Sequence, residues 1–272
     1  CTVMAQIGAD CMTVPLSDVV FELGDTEFPK APVSGGSATV STVGNAVWGA
    51  GKKLQETLAA EIVAHEASPF KGEPVDNIVF TEGRLTCKNK PGQSLTYDQA
   101  LRILQKDTLE CSYDTQFNDH ALKYSTHAFG AQFAKVRVDQ DLGEVRVERF
   151  VGVFAIGKVI NEKTCRSQAQ GGITMGIGMA LTEETLADSL TGRIINANLG
   201  EYHIPVHADV PQIEAYFIPE DDQQIGAIGA KGVGEIGITG VAAAIANAVF
   251  NATGKRVRNL PITPDKLLTL RG

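Results

Sequence analysis

The segment GAKGVGEIGITG, residues 229–240, places one carboxylate, Glu235, on a loop that is rich in glycine. The apolar run VAAAIANAVFNAT follows the loop and predicts a helix that ends at Gly254. A glycine backbone can approach a ligand closely and can adopt positive φ, so a loop of this kind indicates a group that lies against its amides. The amides at the start of the following helix favour an anionic group. The loop therefore predicts a ligand site, and its acid is a candidate for the chemistry.

Composition and charge exclude several classes of function. The chain has 272 residues, 43% of them hydrophobic, which is enough for a large core in one or two domains. Its net charge is −8 and no basic cluster is longer than Lys52-Lys53, so neither nucleic acid nor an anionic membrane surface is expected as a partner. The apolar stretches fall short of the roughly 20 residues that span a bilayer, so no membrane span is predicted. Small molecules and other proteins remain as partners.

The five cysteines are scattered and form no CxxC pair. This spacing predicts reduced, buried thiols, and it argues against a zinc site, a disulfide framework or an iron–sulfur cluster bound by this chain alone. His203 and His207 are separated by Pro205, which prevents them from sharing a helix face as zinc ligands. The first residue is Cys1 rather than methionine, so we expect a fragment or processed piece of a longer polypeptide.

The periodicity predicts an α+β chain with two lobes, residues 1–128 and 129–272. The first lobe is predicted to contain an N-terminal helix, a strand over 19–23, a long amphipathic helix, a hairpin that turns at Glu82-Gly83 and a short helix capped by Thr96. The second is predicted to contain a two-stranded hairpin, a glycine-rich helix over 167–188, extended segments and the final helix. Close packing or a ligand is needed to explain the helix glycines, since each costs about 1 kcal/mol relative to alanine.

The loop also matches the dinucleotide fingerprint GxGxxG, through GVGEIG at residues 232–237. That fingerprint follows a strand and is followed, about 20 residues later, by an acid that binds the ribose. The segment before the loop is a poor strand, and no Asp or Glu occurs between Glu235 and Asp265. A nicotinamide-dependent dehydrogenase is therefore the weakest hypothesis, and no GxSxG nucleophile elbow supports a hydrolase.

The residues alone leave two interpretations of Glu235. One is an acid near a helix N-terminus that is stabilised by the helix dipole. The other is a general base held against a bound group whose anionic parts are met by the loop amides.

A resemblance to a known family covers nearly the whole chain. Residues 229–268 resemble the C-terminal signature of the molybdenum-cofactor subunit of the xanthine dehydrogenase and aldehyde oxidase family. Four upstream segments follow the family's order: QIGADCMTVPLSDVVFELGDT, SGGSATVSTVGNAV, GKVINEKTCRSQAQGGITMGIGMALTEE and NANLGEYHIPVHADVP. The likeness is strongest to the C-terminal half of the large subunit of bacterial aldehyde oxidoreductases of the three-subunit type.

The resemblance implies roles for particular residues. In this family the glutamate of the KGxGE motif stands beside the molybdenum and removes a proton during the reaction, which implies that role for Glu235. It implies cofactor binding by a Gly/Ser segment, a turn, a glutamine and the loop before the base: Ser37, Ala38, Thr39, Ser41, Lys158, Val159, Ile160, Asn161, Glu162, Lys163, Thr164, Gln168, Lys231, Gly232, Val233 and Gly234. No side chain is implied as a metal ligand. The turn has Glu162 where the family pattern has proline, which leaves the contacts of Glu162 open.

The same resemblance implies the C-terminal half of a molybdenum hydroxylase catalytic subunit, which oxidises aldehydes to carboxylic acids with oxygen from water. It implies a molybdenum–molybdopterin cofactor in the cytosine dinucleotide form. The implied partners are the preceding half of the same subunit, a 2Fe–2S subunit and an FAD subunit, in the cytoplasm or periplasm of a bacterium. The alternatives are a purine or N-heterocycle hydroxylase and a non-catalytic scaffold domain that keeps the family fold.

Overall fold

The computed structural model describes residues 1–115, 123–222 and 224–268. The chain forms two compact units, which comprise Cys1–Thr126 with Asp222–Ala230, and His127–Asp221 with Lys231–Gly272. The lobes predicted from the sequence, 1–128 and 129–272, remain a prediction about domains. No local pattern indicated that residues 222–230 belong to the first unit.

The first unit combines helices with a small antiparallel sheet. Its helices are α1 (Thr2–Met12), α2 (Thr39–Ala64) and α3 (Tyr97–Ile103), and its sheet has the order β1 (Ile78–Thr81), β2 (Arg84–Cys87) and β3 (Ser94–Thr96). The apolar stripe of α2 ends in buried Leu58 and Ile62, which belong to the same core cluster as Phe70 and Leu85.

Local turn chemistry in the first unit agrees with the sequence, whereas one predicted strand is absent. The hairpin turn has Glu82 at φ 49° and Gly83 at φ 69°, and Thr96 caps α3 through a complete capping box. The strand predicted over 19–23 is wrong, because these residues follow a 3₁₀ turn at Leu16–Asp18 and form no strand. On the apolar face of the predicted strand Leu23 is 66% exposed, and neither sheet of the described residues includes this segment, so the alternating pattern lacks a partner strand to stabilise it.

The second unit is built on a mixed three-stranded sheet. Its elements are β4 (Phe129–Asp139), β5 (Glu144–Ala155), α4 (Glu162–Leu181), β6 (Gln212–Phe217), α5 (Ile236–Thr239), α6 (Val241–Thr253) and α7 (Pro264–Leu267). β4 and β5 form the predicted antiparallel hairpin, and β6 pairs in parallel with β5 after the crossover through α4. The glycine-rich helix, predicted over 167–188, is α4 at Glu162–Leu181, so it begins and ends earlier than expected.

The core of the second unit lies between the sheet and helices α4 and α6. Phe150, Ile173, Ile177, Val241 and Ile245 are all buried in it. Burial of side chains of this size contributes about 1.5–3 kcal/mol each, so this cluster is the main stabilising feature of the unit.

One helical segment of the described residues, Ile236–Thr253, is long and apolar enough by length and composition to cross a membrane. It combines α5 and α6, which the sequence pattern presented as shorter apolar runs. Val241, Ile245 and Val249 of this segment pack into the core of the second unit, as in the core helix of a globular protein. The segment is thus weak evidence for a membrane span.

Candidate active site

The loop that carries Glu235 is anchored to the end of a strand. The amide of Lys231 donates to the carbonyl oxygen of Ile156, directly after β5, at 2.9 Å. The chain then runs through Gly232, Val233 and Gly234 to Glu235, which directly precedes α5. The anchor fixes where the loop leaves the sheet.

Glu235 occupies the N-cap position of α5, with φ −113° and ψ −17°, but its side chain makes no capping hydrogen bond. The residue is exposed. The geometry therefore gives little support to a purely helix-capping acid.

The glycine conformations differ from the expectation for the loop. Positive φ occurs at Gly226 (144°) and Gly229 (64°), whereas Gly232 and Gly234 are not among the residues with positive φ. Backbone strain therefore does not require glycine at 232 or 234. Glycine at these positions leaves the backbone open to the close approach of another group.

Lys231 turns its charge into the protein. Its Nζ atom lies 2.6 Å from Oε1 of Glu220, and the Lys231 side chain is 3% exposed while that of Glu220 is 24% exposed. The other carboxylate oxygen of Glu220 accepts from the amide of Gly157 at 2.9 Å. Lys231 and Glu220 thus link the loop to the turn that precedes α4, and the Lys231 ammonium is directed into the protein rather than to solvent.

Glycines of α4 allow α5 to pack backbone against backbone. A Cβ atom on Gly172 would lie 2.9 Å from the amide nitrogen of Ile238, and one on Gly237 would lie 2.9 Å from the carbonyl oxygen of Ala169. Close packing, rather than a ligand, therefore explains Gly172. The same contact brings the turn of α4 that contains Gln168 next to the segment that follows Glu235.

The turn over residues 158–164 runs into the start of α4. Asn161 caps the helix, because its side-chain oxygen accepts from the amide of Thr164 at 2.9 Å. Glu162 stands at the first helical position, where a proline would also fit, and it pairs with Arg166 one turn later. Glu162, Lys163 and Arg166 help to line an open surface pocket. The departure from the family pattern therefore leaves the helix start intact.

Ser37, Ala38, Thr39 and Ser41 belong to the first unit, whereas all other predicted site residues belong to the second. Ser37 has φ 59°, a left-handed conformation that is costly for a residue with a side chain. Ala38 is the N-cap residue of the 26-residue helix α2, and its methyl side chain cannot cap the helix. The hydroxyl of Ser41 donates to the carbonyl of Ala38 at 3.0 Å, so it does not serve the first-turn amides.

Two residues of the site were missed by the sequence analysis. Glu220 lies in an acidic segment that carries no signal of a buried partner. Gln132 donates to two carbonyls just after Glu235, and here a signal was present. It is the polar member of the inward-facing row of β4, which otherwise contains Ala134, Val136 and Val138.

The cysteines are free thiols, and their burial matches the expectation only in part. Cys11 and Cys87 are buried, Cys111 and Cys165 are half-buried, and Cys1 is exposed, contrary to prediction. Burial raises the pKa of the Cys11 and Cys165 thiols. Among the residues that the structure describes, no three His, Cys, Asp or Glu side chains form a group that could hold a metal ion.

Comparison with known families decides the assignment. The family model for the molybdopterin cofactor-binding domain matches residues 1–211. The chain belongs to this family. The α+β fold is that of the molybdenum-binding subunits of molybdenum hydroxylases, which confirms the resemblance noted from the sequence.

Individual relatives agree with the domain family. The chain is 38% identical over 267 residues to the aldehyde oxidoreductase molybdenum-binding subunit PaoC of Escherichia coli K12, a match over 98% of this chain and 34% of that subunit. It is 32% identical over 275 residues to the xanthine dehydrogenase molybdenum-binding subunit of Escherichia coli O157:H7, over 98% of this chain and 35% of that subunit. The chain thus spans about a third of the length of these relatives.

A solved structure shows the same fold. Quinoline 2-oxidoreductase from Pseudomonas putida 86 superposes with a TM-score of 0.81 at 24% identity, over 98% of this chain and 34% of that chain.

Proposed function

We propose that this molybdopterin cofactor-binding domain supplies the base and part of the cofactor site to a molybdenum hydroxylase that oxidises aldehydes to carboxylic acids, with oxygen from water. The observation that carries the proposal is the position of Glu235, which is exposed at the end of a glycine loop, directly before α5. The 38% identity to an aldehyde oxidoreductase subunit supports the substrate class.

The described residues suit an anionic pterin cofactor in each unit. At α2, the N-cap residue Ala38 has no side chain that could cap the first-turn amides, and helix N-termini favour an anionic group. The left-handed Ser37 beside them costs of order 1–3 kcal/mol, a strain that is typical of ligand sites. At the Glu235 loop, Gly232 and Gly234 leave the backbone open to close approach. The lack of a metal-ligand cluster in the described residues suits a metal that is carried by its pterin.

We assign the cofactor contacts by unit. Ser37–Ser41 would hold one part of the cofactor, and the turn 158–164, Gln168 and the backbone of 231–234 would hold the rest. When bound, the molybdenum cofactor supplies the two-electron oxidation and the transfer of oxygen derived from water. Glu235 accepts a proton on its carboxylate, and a positioned general base contributes about 10²–10⁴-fold to the rate.

The finer features of the enzyme follow from the family. We propose the cytosine dinucleotide form of the pterin, and 2Fe–2S and FAD groups on partner chains or regions. The five cysteines form no cluster motif, so electrons would leave through groups that this chain does not bind. The rest of the catalytic subunit would complete the substrate pocket, since this domain spans about a third of its relatives.

The decisive experiment replaces Glu235 by glutamine in the complete enzyme. The amide is nearly isosteric but cannot accept the proton, so we expect full molybdenum content and a loss of kcat of about 100-fold or more. Glu144→Gln, at an exposed glutamate at the start of β5, is the matched control and should keep wild-type turnover. Wild-type kcat in Glu235→Gln would refute the assignment of the base.

A second variant tests the loop glycines. Gly234→Val adds a branched side chain where the backbone has no positive φ, so no left-handed conformation opposes the substitution. We expect loss of cofactor loading with an unchanged far-UV spectrum. Normal molybdenum content in this variant would show that the loop does not contact the cofactor.

The alternative substrate class is a purine or another N-heterocycle, which the 32% identity to a xanthine dehydrogenase subunit favours. The ratio of kcat/KM for an aromatic aldehyde and for a purine distinguishes the two. A complete enzyme that takes up no molybdenum after cofactor loading would instead support a scaffold domain.

A further inference from the structure

One polar side chain interrupts the inward-facing row of strand β4. Gln132 alternates with exposed residues and shares its face with Ala134, Val136 and Val138, which pack against the core of the second unit. A polar group at such a position costs desolvation unless it makes hydrogen bonds. The partners of this amide therefore show what it does.

Both donors of the Gln132 amide serve the segment that follows Glu235. Nε2 donates to the carbonyl oxygen of Ile236 at 3.2 Å and to that of Gly237 at 3.1 Å. The opposite amide orientation would set Oε1 against two carbonyl oxygens, so the contacts themselves decide which atom is nitrogen. A Cβ atom on Gly240 would lie 3.1 Å from both Cδ and Oε1 of Gln132, so glycine at 240 leaves room for the amide.

The two carbonyls belong to the first two residues of α5, immediately after Glu235. α5 is the single turn at the start of the helical segment that continues into α6, and the end turns of a helix fray most readily. Its internal support here includes a 3.2 Å bond from the amide of Ile238 to the carbonyl of Glu235. The bonds from β4 therefore hold the first turn of α5 in place from a rigid strand.

The amide oxygen of Gln132 makes this contact costly. Oε1 is buried without a hydrogen-bond partner, and within the described parts of the chain it is the one buried side-chain oxygen or nitrogen in that state. Gln132 borders a pocket of about 190 Å³ that is also lined by Thr239 and Asn247. Methionine would fill the same space without an unsatisfied acceptor, so packing alone does not explain a glutamine here.

We infer that Gln132 is a positioning residue for Glu235. By bonding the carbonyls of Ile236 and Gly237 it sets the backbone from which the carboxylate of Glu235 projects. This inference rests on the proposed function of Glu235 as the base, and it adds a residue on another element that acts through it.

The first test is a double-mutant cycle in the complete, molybdenum-loaded enzyme. Gln132→Met should lower kcat about 10–100-fold and leave KM within about threefold, because misplacement of a catalytic group by about 1 Å costs up to 10²-fold. In the Glu235→Gln background, Gln132→Met should cost nothing further. An equal loss of kcat in both backgrounds would show a structural role and overturn the inference.

The control in this cycle is Gln212→Met, the same substitution at the exposed first residue of β6, where Gln212 donates to Glu214 at 3.1 Å. It should keep wild-type kcat and KM. Wild-type kcat in Glu235→Gln alone would refute the role of Glu235 as the base, and with it the positioning role of Gln132. Wild-type kcat in Gln132→Met together with an inactive Glu235→Gln would refute only the positioning role.

The second test does not depend on activity. Hydrogen exchange of the peptide that covers 236–240 should be faster in Gln132→Met than in the wild type, and unchanged in Gln212→Met. Gly240→Ala, which crowds the same amide from the other side, should speed exchange in the same peptide if Gln132→Met does not fold. If Gln132→Met folds, wild-type exchange in that variant would overturn the inference. If it does not fold, wild-type exchange in Gly240→Ala would do so.

Discussion

Two adjacent glycines of α4 offer a direct test of the contact between α4 and α5. A Cβ atom on Gly172 would lie 2.9 Å from the amide nitrogen of Ile238 and 3.0 Å from two backbone atoms of Gly237, whereas one on Gly171 would meet nothing within 4 Å. Backbone atoms cannot move aside as a flexible side chain can. Gly172→Ala should therefore strain the packing of α5, and Gly171→Ala should not.

The magnitudes follow from two opposing effects. Alanine stabilises a helix interior by about 0.5–1 kcal/mol relative to glycine. Overpacking of a well-filled contact costs about 1–3 kcal/mol. Gly171→Ala should thus raise the free energy of unfolding by about 0.5–1 kcal/mol, and Gly172→Ala should lower it by up to about 2 kcal/mol. The propensity term is shared, so the difference between the two variants isolates the contact.

Urea unfolding followed by far-UV circular dichroism measures this difference. Trp48, the single tryptophan, lies in α2 of the first unit, so its fluorescence provides a reference transition for the unit that is not mutated. Equal stabilisation in both variants would show that α5 does not pack against α4 at Gly172. That result would also refute the position described here for the segment after Glu235.

Two further predictions concern ionisable groups. Glu220→Gln removes the carboxylate that lies 2.6 Å from the buried Lys231 ammonium and should cost about 3 kcal/mol of unfolding free energy. Lys231→Met leaves the partly exposed Glu220 to water and should cost about 1 kcal/mol. Urea titration measures both losses, and a larger loss in Lys231→Met would contradict the burial of the ammonium. Burial raises the pKa of the Cys165 thiol, so a smaller fraction of this thiol is thiolate at pH 8–9. Iodoacetamide should therefore modify the exposed Cys1 well before Cys165. Mass spectrometry of timed samples measures both rates, and equal rates would contradict the burial of Cys165.

The sequence predicted the features of the site that depend on neighbours along the chain. We could predict the loop, its carboxylate and the following apolar helix because glycine content and periodicity are local properties of the sequence. The turn at Glu82-Gly83 and the Thr96 cap were predictable for the same reason. The strand predicted over 19–23 failed because alternation marks a strand only where a partner and a buried face are present.

The two residues that support the loop could not both be found in this way. Glu220 is 11 positions from Lys231, and Gln132 is more than 100 positions from the carbonyls that it bonds. Gln132 carried a weak signal as a polar residue in an apolar row of β4, but the row does not reveal what the amide meets. Glu220 carried no signal, because an acid in a polar segment is normally solvated.

The amino-acid sequence by itself determined the α+β class, the family and the identity of the candidate base, because each depends on local composition and on motifs in order along the chain. Tertiary structure alone decided that Lys231 turns inward to Glu220, that Gly172 admits α5 and that Gln132 holds the first turn after Glu235. The physical reason is that these are contacts between groups distant in sequence. Their distances and burial are set by how the strands and helices of the second unit pack. The type of a residue and its neighbours along the chain do not specify which distant group it contacts.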